Sequence, residues 1–135
     1  MTLKGKVLVV DDEAHIRKFV IQLVKELGEP VILQAANGEE ALKIYERERP
    51  ALVLLDVNMP RVDGIETLRR LKLFDPNCVV VMLTSLVNRQ TVEACLHLGA
   101  VAYLRKDNPP DDMTIRLQKI IDDHLREEPA RPDKR

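Results

Sequence analysis

Short apolar runs of strand length alternate strictly with segments of helical period along this chain, and few folds accept that order. Residues 7–10 are the first run. Ile16, Phe19, Val20, Leu23, Val24 and Leu27 then recur at three- and four-residue steps, the stripe of a helix buried on one face. Gly28 reads as the stop of that helix, and Pro30 prevents its return. The alternation continues with a strand at 31–36, a turn at Asn37-Gly38, and a helix at 39–48 packed through Ala41, Leu42 and Tyr45. A strand at 52–55, a loop at 57–64 and a helix lined by Ile65, Leu68 and Leu71 follow, the helix ending before Pro76. Strands at 78–83 and 101–104 precede helices at 88–98 and 112–125, the last with a stripe of Met113, Leu117, Ile120, Ile121 and His124. Apolar strands alternating with helices predict a parallel sheet covered on both faces. Right-handed crossovers make it doubly wound, with ligands bound outside the carboxyl ends of the strands.

Acidic residues stand at two of those ends. Asp11-Asp12 directly follows the first strand, and Asp56 directly follows the third. Two like charges ~4 Å apart repel by about 4 kcal/mol at an effective dielectric of ~20. Acids gathered in this way require a cation or partial protonation. Hard oxygen ligands without Cys or His nearby favour Mg²⁺ over zinc, with Mn²⁺ as an alternative. Alone, Asp11 and Asp12 would equally suit helix N-capping; Asp56 tips the balance toward a metal. Thr84 and Lys106 fall at the same edge.

The chain has 135 residues, enough for one domain with a substantial core. A net charge of −1 and 3% aromatics give no basis for binding nucleic acid. No apolar stretch approaches the ~20 residues of a membrane span, and the amino terminus lacks a signal-peptide core, so the cytoplasm is the expected compartment. Cys78 and Cys95, expected in a strand and a helix, read as reduced buried thiols. None of His15, His97 and His124 has metal-ligand spacing. Residues 127–135 are charged and contain Pro129 and Pro132, and read as a disordered tail or truncated linker after a domain at 5–126.

The sequences Val-Asp-Asp-Glu at 10–13, Leu-Asp-Val-Asn-Met-Pro at 55–60, Asp63-Gly64, Thr84-Ser85 and Gly99-Ala100-Val101-Ala102-Tyr103-Leu104-Arg105-Lys106 occur in this order. Together they closely resemble the receiver domain of two-component response regulators, over about residues 5–125. The resemblance implies a flavodoxin-like (βα)5 three-layer sandwich with strand order 2-1-3-4-5. It makes Asp56 the phosphoacceptor, with Mg²⁺ held by Asp11, Asp12, Asp56 and the Asn58 backbone carbonyl. Lys106 would pair with the phosphoryl group, the Thr84 hydroxyl would donate to it, and small Ser85 would leave room. A histidine kinase or histidine phosphotransfer protein would be the donor. The domain would assist its own phosphorylation and dephosphorylation without being an enzyme in the turnover sense.

The resemblance further implies a switch. Thr84, drawn toward phosphate, frees space into which Tyr103 rotates, altering the face of the fourth helix, fifth strand and fifth helix, where a downstream effector would bind. Val92 and Leu96 are expected to form an apolar docking patch beside Tyr103. A phosphorylation-dependent homodimer is a further expectation. Asn58 and Leu86 flank the path of the hydrolytic water, and apolar Leu86 predicts a long-lived phosphoryl state. Thr84 also suits capping of the fourth helix, Tyr103 a plain strand position, and Asp63-Gly64 turn chemistry.

The chain departs from the family in placing Asp107, where proline is usual, after Lys106. A trans peptide is therefore expected, with Asp107 competing for Lys106. A haloacid-dehalogenase-type phosphohydrolase is disfavoured, because Asn58 stands where such chemistry needs a proton-donating acid. A nucleotide or flavin module would need a glycine-rich loop after Val10, where the chain has Asp11-Asp12-Glu13. A phosphorylation-independent receiver-like binding module remains as the other alternative.

Overall fold

The protein is described by a computed structural model covering residues 3–59, 63–85 and 88–125. Its strands are β1 (Lys6–Val10), β2 (Val31–Ala35), β3 (Leu52–Asp56), β4 (Val80–Thr84) and β5 (Ala102–Arg105). They alternate with α1 (Ala14–Lys25), α2 (Gly38–Glu48), α3 (Gly64–Phe74), α4 (Arg89–His97) and α5 (Pro110–His124). All strand pairs are parallel, and the order is β2-β1-β3-β4-β5. This is the flavodoxin-like arrangement that the family resemblance implies.

Side chains of a strand alternate between the two faces of the sheet, and the core divides accordingly. Leu8, Val10, Val53, Leu55, Val80 and Met82 pack with Ala41, Tyr45, Leu68, Leu71 and Cys95 of α2, α3 and α4. Val7, Val9, Leu52, Leu54, Val81 and Leu83 pack with Val20, Val24, Leu117 and Ile121 of α1 and α5. The three inner strands are apolar because helices cover both their faces. The edge strand β2 is not fully covered, and Val31 is 56% exposed.

Several boundaries differ from the periodicity. Cys78 precedes β4 rather than opening it, because its amide donates to the Asp75 carbonyl in a turn, 3.1 Å. Helix α5 begins at Pro110, two residues earlier than expected, since a proline in the first helical turn lacks only an N–H that would have no partner there. His124 is exposed and leaves the buried stripe to Met113, Leu117 and Ile121. Gly28 does not end α1 through a left-handed conformation; among the described glycines only Gly5 and Gly99 have positive φ. Gly28 serves close approach instead, since a Cβ there would strike the backbone of Leu3, which bridges it.

Gly64 has a similar role at the business edge of the sheet. It opens α3, and a Cβ would run into the carbonyl oxygen of Asp56 and the Cα of Val57. The side chain of Asp63 caps the helix, accepting from the Glu66 amide at 2.8 Å. The Asp63-Gly64 pair thus performs the turn chemistry expected of it, and it lets α3 start directly against the end of β3. Gly64→Ala is expected to cost about 1–3 kcal/mol through this overpacking; urea denaturation with a midpoint equal to wild type would contradict the contact.

Candidate functional site

Register brings the polar residues together. Val10 lies beside Leu55, so Asp11 follows level with Asp56. Asp56 pairs with Leu83, and Thr84 pairs with Arg105, so Lys106 is the next residue along. Parity matters equally. Asp11 continues the alternation of Val7 and Val9, Asp56 that of Leu52 and Leu54, and Lys106 that of Leu104, all on the α1/α5 face. The peptide N–H of Lys106 donates to the Thr84 carbonyl at 2.8 Å, extending the ladder by one residue.

The result is a compact charged cluster. Asp11 is completely buried and Asp56 is 3% exposed, whereas Asp12 faces solvent. One carboxylate oxygen from each of Asp11, Asp12 and Asp56 lies within 4.8 Å of the others. Lys106 Nζ lies 2.7 Å from Asp11 Oδ2 and 2.8 Å from Asp56 Oδ1. The other Asp11 oxygen accepts from the Glu13 amide at 3.0 Å, and Asp56 Oδ1 also accepts from the Asn58 amide at 3.3 Å. The Lys106 ammonium therefore bridges two buried acids at the ends of different strands.

Burial chiefly, with the neighbouring Asp11 charge, holds the Asp56 carboxyl above the ordinary carboxylate value despite the opposing Lys106 and Asn58 contacts. Burial would lower the pKa of Lys106, but its bonds to Asp11 and Asp56 outweigh that and leave it raised. The three acids offer a hard-oxygen set that fits a divalent cation such as Mg²⁺. Lys106 contacts carboxylates of two of these three acids, so the ammonium and a metal would share the neutralising task.

Comparison with known proteins is decisive for the family. The family model for the response regulator receiver domain matches residues 7–118. The chain belongs to the response regulator receiver family. It is 36% identical to "Sporulation initiation phosphotransferase F" of Bacillus subtilis (strain 168), over 88% of this chain and 95% of that protein. It is 38% identical to "Probable transcriptional regulator ycf27" of Porphyridium aerugineum, over 87% of this chain but 48% of that protein, so it spans about half the length of this relative. A chain in the crystal structure of the CheX–CheY–BeF3–Mg²⁺ complex from Borrelia burgdorferi superposes with a TM-score of 0.81 at 33% identity, covering 87% of this chain and 89% of that one. Receiver domains are signalling domains.

The remaining candidate residues of this receiver fall in two groups. Thr84 is buried at the end of β4, with Ser85 exposed beside it. Thr84 does not cap α4: that position belongs to Asn88, whose side chain accepts from the Gln90 and Thr91 amides at 2.9 and 3.2 Å. Asn58 is exposed at the mouth of the site. Tyr103 is 39% exposed on β5, away from the acid cluster, and Leu96 of α4 is 43% exposed, with Val92 half-buried. Leu86 lies outside the described residues, as does the tail at 127–135.

Asp107 departs from expectation. It does not compete for Lys106; both its oxygens engage Arg105, at 2.9 and 2.6 Å. No cis peptide occurs among the described residues, so the Lys106–Asp107 bond is trans as expected. Sequence reasoning also missed Arg17, whose Nη1 donates to the Asp11 carbonyl at 2.6 Å and whose Nε donates to Gln34 Oε1 at 3.1 Å. It braces the loop that carries the acids. Its only signal in the sequence is a cation one turn into the helix that follows Asp11-Asp12.

Because native Asp56 holds its proton more tightly than the unfolded chain does, its ionised form costs stability. The cost is absent below the ordinary value of 3.8, grows as pH rises through the raised native value, and persists at neutral pH. The Lys106 contribution is complete below 10.5 and is lost as pH rises through its own raised value. Asp56→Asn is therefore expected to raise the thermal midpoint by a few degrees at neutral pH, with the gain vanishing below the carboxylate range. A lower midpoint at neutral pH would show that attraction to Lys106 outweighs burial.

Proposed function

We propose that this receiver accepts a phosphoryl group on Asp56 and that the modification controls a protein contact in two-component signalling. The reading is carried by one observation: a buried aspartate at a strand end, bridged by Lys106 to a second acid and with a third acid within reach. An Asp56 oxygen forms a bond to phosphorus as the donor's phosphorus–nitrogen bond, in a phosphohistidine, breaks; the histidine nitrogen leaves and is reprotonated. A histidine kinase or histidine phosphotransfer protein supplies the group, in the cytoplasm.

The difficulty of the step is electrostatic, since an anion must approach an anion. Asp11, Asp12, Asp56 and the Asn58 carbonyl would hold Mg²⁺, which when bound supplies charge neutralisation and a template for in-line transfer. The presence of BeF3 and Mg²⁺ in the named complex of the 33%-identical relative supports this reading. Lys106 supplies a second positive charge from the opposite strand, as a compact point charge suited to phosphate. The Thr84 hydroxyl donates to a phosphate oxygen, and Ser85 leaves the approach open. Asn58, two residues beyond Asp56, cannot donate the proton that a phosphomonoester hydrolase would need there.

The output face joins α4, β5 and α5. Tyr103, Leu96 and Val92 give it an apolar, partly exposed character. Movement of Thr84 toward the phosphoryl group and of Tyr103 inward would change that surface. Effector binding, or pairing of two phosphorylated copies, would then read the change.

Incubation with a small acyl-phosphate donor tests the chemistry. The expected result is a mass gain of one phosphoryl group that requires Mg²⁺ and disappears in Asp56→Ala; modification indifferent to chelator would overturn it. Slow loss of the group is expected because apolar Leu86 cannot orient water, so rapid hydrolysis by wild type would contradict that assignment. Val92→Asp and Leu96→Asp are expected to weaken effector binding while leaving phosphorylation intact, as measured by titration of the phosphorylated protein.

A further inference from the structure

Lys106 sits at the second position of a four-residue turn, closed by the Asn108 amide on the Arg105 carbonyl at 3.3 Å. That bond is long for N–H···O. The next two residues, Pro109 and Pro110, have no N–H with which to tie the segment back. The Lys106 amide is anchored to the Thr84 carbonyl at 2.8 Å, but from Asp107 to Pro110 the long Asn108 bond is the backbone tie on the side of the turn that follows the ammonium.

Side chains on the other side of the turn supply what the backbone lacks. Arg105, the last residue of β5, has the parity opposite to Leu104 and Lys106. Its Nε donates to Asp107 Oδ1 at 2.9 Å and its Nη2 to Asp107 Oδ2 at 2.6 Å. This is the two-point fork that a guanidinium makes with a carboxylate and that a lysine could not reproduce. It spans Lys106 from the residue before to the residue after, while Lys106 Nζ reaches the opposite way to Asp11 and Asp56.

We infer that the Arg105–Asp107 fork is a positioning device that fixes the aim of Lys106 at the acid cluster. Neither residue touches the reacting atoms; both act through the turn. The pair is about half exposed, at 43% and 52%, so its influence is moderate, on the order of a few-fold. Its consequence for phosphotransfer rests on the function proposed above, but its effect on Lys106 does not.

Acylation of lysines in the folded protein, read by peptide mass, tests the aim directly. In Asp107→Ala, Lys106 is expected to be labelled about three-fold faster than in wild type, with exposed Lys43 unchanged. The charge-exchanged pair Arg105→Asp with Asp107→Arg restores slow labelling. Phosphorylation by acetyl phosphate should slow by a similar factor in Asp107→Ala, with Mg²⁺ affinity and thermal midpoint unaltered. In a Lys106→Ala background the same substitution should cause no further slowing, as required of a residue that works through Lys106. Unchanged Lys106 labelling, or equal slowing with and without Lys106, overturns the inference. A wild-type protein that is never phosphorylated would instead overturn the phosphoacceptor reading, while the labelling still decides the fork.

Discussion

The attraction between Lys106 and two buried carboxylates is what makes the carboxyl edge of this sheet possible. Asp11 and Asp56 are withdrawn from water at the ends of adjacent strands, and their repulsion has no solvent to screen it. Lys106 arrives from beyond β5 and contacts both at under 3 Å. The arrangement is poised rather than settled, because burial still holds Asp56 above its ordinary pKa. Under the proposed function, a dianionic phosphoryl group would meet a site whose positive charge is already in place.

Such a site depends on a rigid frame. The inner strands β1, β3 and β4 are sealed by helices on both faces, so their registers are fixed by packing. Gly64 lets α3 start against the Asp56 carbonyl, and Arg17 ties α1 to the Asp11 carbonyl. Polar contacts at the C-terminal ends of α2 and α3 hold the frame from elsewhere. There the Tyr45 hydroxyl donates to Asp75 at 2.8 Å, and the Arg49 guanidinium stacks 4.5 Å over Phe74. Burial, and then the bond to Asp75, push the Tyr45 hydroxyl well above its usual pKa, so it remains a neutral donor.

The edge strand β5 differs in kind. Only Leu104 is buried within it, and Tyr103 stands partly in solvent. Its carboxyl end nevertheless supplies the cation on which the cluster relies. The light burial of β5 is compatible with the proposed rearrangement of the α4–β5–α5 face, while Lys106 beyond it is directed inward to Asp11 and Asp56. One short strand thus carries a partly exposed Tyr103 and leads directly to the ammonium that bridges the acids.

Much of this was legible in the chain itself. Alternating apolar runs determined the strand and helix order, and the position of Asp11, Asp12, Asp56 and Lys106 just beyond those runs determined that they would meet, with Thr84 at the same edge. Period and placement are local properties, so a linear reading captures them. What it missed depended on three-dimensional partners. Gly28 resembled a helix stop but is an approach to Leu3; Asp107 resembled a rival for Lys106 but is held by Arg105. Thr84 resembled a cap until Asn88 took that position, and the fifth helix starts at Pro110, two residues before the apolar stripe suggested. The sequence decided which groups stand at the sheet's edge, because strand length and parity are written in hydrophobicity. Only the tertiary structure decided which of them pair, because hydrogen bonds and ion pairs are selected by distance and direction across strands far apart in the chain.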